Sequence, residues 1–151
     1  MGQTTSELRL PADRRYIVVA KRAVAGFASV AGLHVEALDD LVIAVSQAYE
    51  NAIVLLERAA GRGYGQIRIV VNLSDAGLEV HVRSTCSRAE LEAGREAALA
   101  AAGAPLHPQH GEHHELALKV MGLFVDEFRY RVDESSGGLR VRLTKYRTSS
   151  S

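Results

Sequence analysis

The chain has no tryptophan, one cysteine and three prolines in 151 residues, and its aromatic fraction is only 5%. A single thiol, Cys86, cannot close an intrachain disulfide, so a reducing, cytoplasmic setting is expected. Basic and acidic side chains number 18 each, for a formal net charge of zero. That balance excludes a general nucleic-acid binder, which needs a basic excess or a concentrated patch to neutralise phosphates. No apolar run is long enough to span a bilayer, and "MGQTTSELRL" lacks the apolar core of a signal peptide. No internal repeat is present. What remains is a hydrophobic fraction of 47% with 24% charged residues, ordinary for a globular chain. The length fits a single domain, 1–151, with one core. The tails 1–6 and 147–151 are expected to fray.

The hydrophobic period divides the chain. "ELRLPA" reads as a short strand closed by Pro11. Asp13 can cap a helix running to Gly32, a good stop signal. From His34 to Ala60 a helical stripe of Leu38, Leu41, Val42, Val45, Ala48, Ala52, Leu55 and Leu56 predicts a longer helix, ended by "GRGYG". The period then becomes two in "QIRIVVNL", "AGLEVHVRS", "EFRYRVDE" and "GGLRVRLTKY", with "LSDAG" and "DESSGG" as hairpin connections. Between the hairpins lie the helix-prone "SRAELEAGREAALAAAGAP", a polar loop "LHPQHGEHH" and a last helix "HELALKVMGLFVDE". Strands with one polar face predict helices on one side only. The expected fold is therefore an α+β two-layer sandwich on a mixed or antiparallel five-stranded sheet.

Inside the long helix, "IAVSQAYENAI" places Gln47 and Asn51 four residues apart on one face. Two amides on a helix that otherwise wants burial are either a satisfied polar pair or part of a site. The longer string "LDDLVIAVSQAYENAI", with the "LRLPADRRYIVVAKRAVAGFASVAGL" lead-in and the ending "VDEFRYRVDESSGGLRVRLTKY", resembles the bacterial anti-sigma-factor serine/threonine kinases. These belong to the Bergerat-fold, histidine-kinase-like ATPase superfamily, and the likeness covers nearly the whole chain in order. It implies a protein that sequesters a sigma factor, binds an antagonist protein and phosphorylates it with ATP and Mg²⁺.

The same resemblance shows where this chain departs. The family's helix carries Glu as general base and, four residues on, Asn as a Mg²⁺ ligand. Asn51 matches, but the Glu position is Gln47, and an amide has no useful basicity. The family's adenine-anchoring Asp-x-Gly becomes Ser84 and Cys86 in "VRSTCSR"; Ser84 is shorter and neutral, and Cys86 adds bulk. The glycine-rich phosphate lid becomes "HELAL", with His114, Glu115 and Ala117 in place of glycines, and Glu115 would repel a triphosphate. Gln47, Asn51, Ser84, Cys86, Glu115 and Ala117 thus read as positions of a relic ATP–Mg site. The expectation is a regulator of partner-switching type that binds a sigma factor or antagonist without phosphorylating it, needs no cofactor and forms a homodimer. The alternatives are an active kinase using ATP and Mg²⁺ with divergent contacts, and a heterodimer partner of a true kinase. Neither membrane nor direct nucleic-acid binding is expected. The stretch from Ser87 to Gly111 is expected to be mobile or to fold as an Ala-rich helix filling the vacated cleft.

Two further features stand apart from that site. His107, His110, His113 and His114 cluster, with His110 and His114 at metal-ligand spacing, but a solvated loop explains them as well. Arg68, Arg83, Arg129, Arg131, Arg140 and Arg142 fall on the polar phase of the strands. They form either a solvated face or a surface for an acidic partner.

Overall fold

The first strand, β1 (Thr4–Pro11), pairs along its whole length with β2 (Gln66–Ser74), from Thr4↔Leu73 to Pro11↔Gln66. The computed structural model describes residues 2–100, 118–133 and 136–147. The N-terminal fraying expected through residue 6 is therefore corrected: Thr4, Thr5 and Ser6 are held by the ladder. Asp13 caps as predicted, accepting from the Arg15 amide, but it opens a 3-10 turn, Arg14–Tyr16, that leads into helix α1 (Ile17–Val30). Gly32 stops the chain at φ 76°, while the Leu33 amide reaches back to the Ala28 carbonyl.

Helix α2 (Val35–Ala60) is the centre of the molecule. It buries Leu41, Ala44, Val45, Ala48, Ala52, Ile53, Leu55 and Leu56, an i, i+3, i+4 set that needs apolar neighbours on both sides of one face. Gly61, at φ 90°, ends it. Strand β2 turns into β3 (Gly77–Thr85), helix α3 (Arg88–Ala100) follows, and the chain closes with β4 (Glu127–Asp133) and β5 (Gly138–Tyr146). The sheet order is β1-β2-β3-β5-β4. Every pairing is antiparallel, so the sheet is not mixed.

Alternation does the rest. Ile67, Ile69, Val71, Leu78, Val80, Val82, Leu139, Val141 and Leu143 form the buried face against α1 and α2. The opposite face carries Arg68, Arg83, Arg129, Arg131, Arg140 and Arg142, at the phase the sequence predicts. The last helix ends earlier than "HELALKVMGLFVDE" suggests. Residues 118–121 are helical, Gly122–Phe124 tightens to a 3-10 turn, and Val125 is extended at φ -130°. Asp126 then serves the sheet instead of the helix, since its carboxylate accepts from the Tyr146 amide.

Candidate functional site

Helix α2 is fixed in place by contacts from β1 and from the turn after it. Tyr49 is fully buried and its hydroxyl donates to the Pro11 carbonyl; burial raises that phenol well above its ordinary pKa. Arg14 donates to Glu57 at 2.8 Å and stands 3.6 Å from Glu50. These contacts set the face that carries Gln47 and Asn51.

The two amides do not pair with each other. Asn51 is 7% exposed and its Nδ2 donates 2.9 Å to the backbone carbonyl of Gln47. The Gln47 side chain is exposed. Asn51 therefore satisfies its donor within its own helix turn, which leaves Oδ1 as the group able to serve a ligand. Among the described residues no group of three or more His, Cys, Asp and Glu could hold a metal ion.

Ser84 is engaged within the sheet. It is 3% exposed and its hydroxyl donates to the Gly137 carbonyl at 2.7 Å. The same oxygen accepts from the Leu139 amide at 2.7 Å. The backbone register between β3 and β5 ends at Arg83↔Arg140, so the Ser84 hydroxyl continues the ladder where the main chain stops. Gly137 is in turn pressed onto α2: at φ 67°, a Cβ there would come 2.9 Å from the Leu55 carbonyl and 3.0 Å from Ala59. The turn between β4 and β5 thus stands between the end of β3 and the helix.

Cys86 is half-buried, and burial followed by the nearby Glu90 charge pushes its thiol upward, away from reactivity. Next to it lies a reciprocal cap that "SRAE" could have revealed. The Glu90 amide donates to Ser87 Oγ at 3.1 Å and the Ser87 amide donates to Glu90 Oε1 at 3.4 Å. Glu90 also accepts from the Gly65 amide at 2.6 Å, and that bond, with the Ser87 contacts, holds its carboxyl below the usual value. Farther along α3, Gly94 packs so closely on α2 that a Cβ would fall 1.6 Å from the Ala60 carbonyl. Of the stretch expected to be mobile or helical, Ser87 to Gly111, residues Arg88–Ala100 are helical and clamped to the last turn of α2, and 101–111 lie outside the described residues. The remaining positions named in the sequence, His107, His110, His113, His114, Glu115 and Ala117, lie outside the described residues.

Among the described residues the Asn51 amide oxygen is open to a cation. Gln47 supplies no carboxylate, and the Ser84 hydroxyl uses its proton and one lone pair inside the sheet.

Residues 10–145 match the family profile of the histidine kinase-like ATPase domain. The serine-protein kinase RsbW of Listeria innocua serovar 6a is 30% identical over 146 residues, covering 92% of this chain and 85% of that protein. RsbW of Listeria monocytogenes serotype 4a matches at 30% identity over the same shares. RsbW of Bacillus thuringiensis strain Al Hakam is 26% identical over 141 residues, covering 93% of this chain and 83% of that protein.

Proposed function

Because this chain belongs to the histidine kinase-like ATPase domain family, we propose that it is an anti-sigma-type regulator that works by capture, without phosphoryl transfer. Its relatives at about 30% identity are named serine-protein kinases, and the likeness runs through nearly the full chain. A partner-switching role is the reading that follows, with a sigma factor or an antagonist protein as the partner.

The observation that carries the absence of catalysis is the state of Ser84. A hydroxyl that donates to Gly137 and accepts from Leu139, both at 2.7 Å, serves as a structural bridge, which supports the reading that it does not anchor adenine. Gln47 adds the loss of the general base, which typically contributes about 10²–10⁴-fold in rate. The scaffold that presents partner surfaces is kept while the chemistry is not supported. Asn51 is the residue that favours the kinase alternative, since its free Oδ1 is the kind of oxygen that binds Mg²⁺.

The test is capture of the tagged full chain from its native host, paired with a phosphorylation assay on whatever is captured. A sigma factor or antagonist in the eluate, with no phosphate transferred from ATP, is the expected result. Phosphate on the antagonist would establish the kinase reading. Capture of an intact kinase relative alone would instead make the chain a heterodimer partner.

A further inference from the structure

The outer face of the sheet, turned away from α1 and α2, carries a row of arginines that the strand register lines up. Arg9 stands opposite Arg68, Arg68 opposite Arg83, Arg83 opposite Arg140, and Arg140 opposite Arg131. In sheet order that is one arginine on each of the five strands. The next row on the same face reads Glu7, Val70, His81, Arg142, Arg129. Like charges directly opposite one another destabilise a sheet, so the fold carries this row against its own preference.

The two ends of the row differ. On β1 and β2 the charge is partly offset, since Glu7 lies 2.9 Å from Arg9 and 2.8 Å from Arg68. On β3, β5 and β4 no such pair forms among the described residues, and only the more distant Glu79 feels the Arg142 charge. Arg83, Arg129, Arg131, Arg140 and Arg142 have no carboxylate of the described residues within salt-bridge distance. Four of the five are exposed and Arg142 is half-buried. Hollows of about 340 and 240 Å³ adjoin on this block; a third, of about 620 Å³, runs from it to Ser84 and Cys86 at the end of β3, and Arg140 lines all three.

The block is also fenced. One row beyond Arg142 the register runs Glu79, Thr144, Glu127, and at the other end Asp133 borders the largest hollow. The open cationic area is therefore only two rows deep and three strands wide, about 7 by 10 Å between Cα positions. A nucleic acid, whose charge continues uniformly, would run into those carboxylates, and no Phe, Tyr or Trp stands in the two rows to stack a base. Guanidinium groups instead match discrete carboxylates in paired hydrogen bonds.

We propose that the Arg83, Arg129, Arg131, Arg140 and Arg142 block is a docking surface for a short acidic segment of a protein partner, on the face of the sheet turned away from α2. The partner presents a local cluster of Asp or Glu that pairs with the block and ends at the Glu79–Glu127 border. This surface is independent of Gln47 and Asn51, so its occupancy does not require nucleotide.

The test is fluorescence anisotropy of a fluorescein-labelled dodecapeptide of alternating Glu and Ser, titrated with the full chain at low and at physiological salt. Saturable binding at low salt that weakens as salt rises is expected. In Arg83→Glu/Arg140→Glu, affinity falls by about tenfold or more. This pair keeps like charges opposite each other, so thermal unfolding checks that the fold is intact. Arg62→Glu, an exposed change outside the sheet, leaves binding unaltered. Absence of saturable binding, equal affinity in the double variant, or an equal loss in Arg62→Glu overturns the proposal. So does an oligothymidylate of matched charge that binds more tightly than the peptide.

Discussion

Ser84 Oγ donates to the carbonyl oxygen of Gly137 at 2.7 Å, inside the sheet and shielded from solvent. That bond joins the end of β3 to the turn that presses on α2. It ties a position the resemblance assigns to a ligand into the fold itself.

Ser84→Ala is therefore expected to destabilise the protein by about 1–3 kcal/mol. It orphans two buried backbone groups, the Gly137 carbonyl and the Leu139 amide, and a buried unsatisfied group costs its full desolvation. Urea unfolding measures the difference. A change within a few tenths of a kcal/mol would mean that the two groups find other partners. Ser84→Asp is expected to be worse, because a carboxylate would face the Gly137 carbonyl without a proton to give.

Much of this fold was legible beforehand. Alternation in "QIRIVVNL" and "GGLRVRLTKY" placed the buried face, because a period of two leaves no choice of phase once one side must be apolar. The end of the last helix was not legible, since "KVMGLFVDE" is apolar enough to continue; Gly122 and the Asp126 bond to the Tyr146 amide stop it, and that bond is tertiary. Of the site, the Gln47 and Asn51 spacing was readable, but not that Asn51 would turn to a main-chain carbonyl. The role of Ser84 depends on Gly137 and Leu139, more than fifty residues on, which periodicity does not register. Membership of Arg9 in the arginine row is not legible in its own segment, because it follows from strand order alone.

Calorimetric titration of ATP with Mg²⁺ is expected to give no measurable heat of binding. A charge-assisted hydrogen bond contributes about 1.5–3 kcal/mol, and losing two contacts of about 2 kcal/mol each moves a micromolar site to roughly millimolar. Gln47→Glu alone is expected to restore neither binding nor phosphate transfer, since Ser84 stays bonded into the sheet. Micromolar binding by the unmodified chain would overturn the capture-only reading.

Gly94→Ala is expected to loosen α3 from α2. Alanine is the better helix former by about 1 kcal/mol, so an isolated helix would gain. Here the added Cβ would lie 1.6 Å from the Ala60 carbonyl, a backbone atom that cannot swing aside. Overpacking costs about 1–3 kcal/mol, and a main-chain clash belongs at the upper end. The balance is destabilising. Limited proteolysis should show faster cutting within 88–100, with little change in the β-sheet signature. Unchanged or slower cutting would count against the close packing of Gly94 on Ala60.

The docking of α3 is also expected to depend on pH through Glu90. Its carboxyl sits below the ordinary value of 4.5, first because it accepts from the Gly65 amide and then because it bonds Ser87. Desolvation opposes this and loses. A carboxyl depressed in the folded state contributes stability that is fully present above its unfolded pKa. That stability drains away as pH falls through the lower, folded value. The window therefore opens near 4.5 and extends downward, and the neutral range should be flat. Protonation removes the charge that the Gly65 amide bonds and weakens the Ser87 cap together with it. Hydrogen exchange at the Gly65 amide, corrected for its intrinsic pH dependence, should show protection falling below that point. Glu90→Gln should lower protection at neutral pH and abolish the acid-dependent part. If the variant retains the same acid-dependent loss, another carboxyl governs the docking of α3 and Glu90 is only its cap.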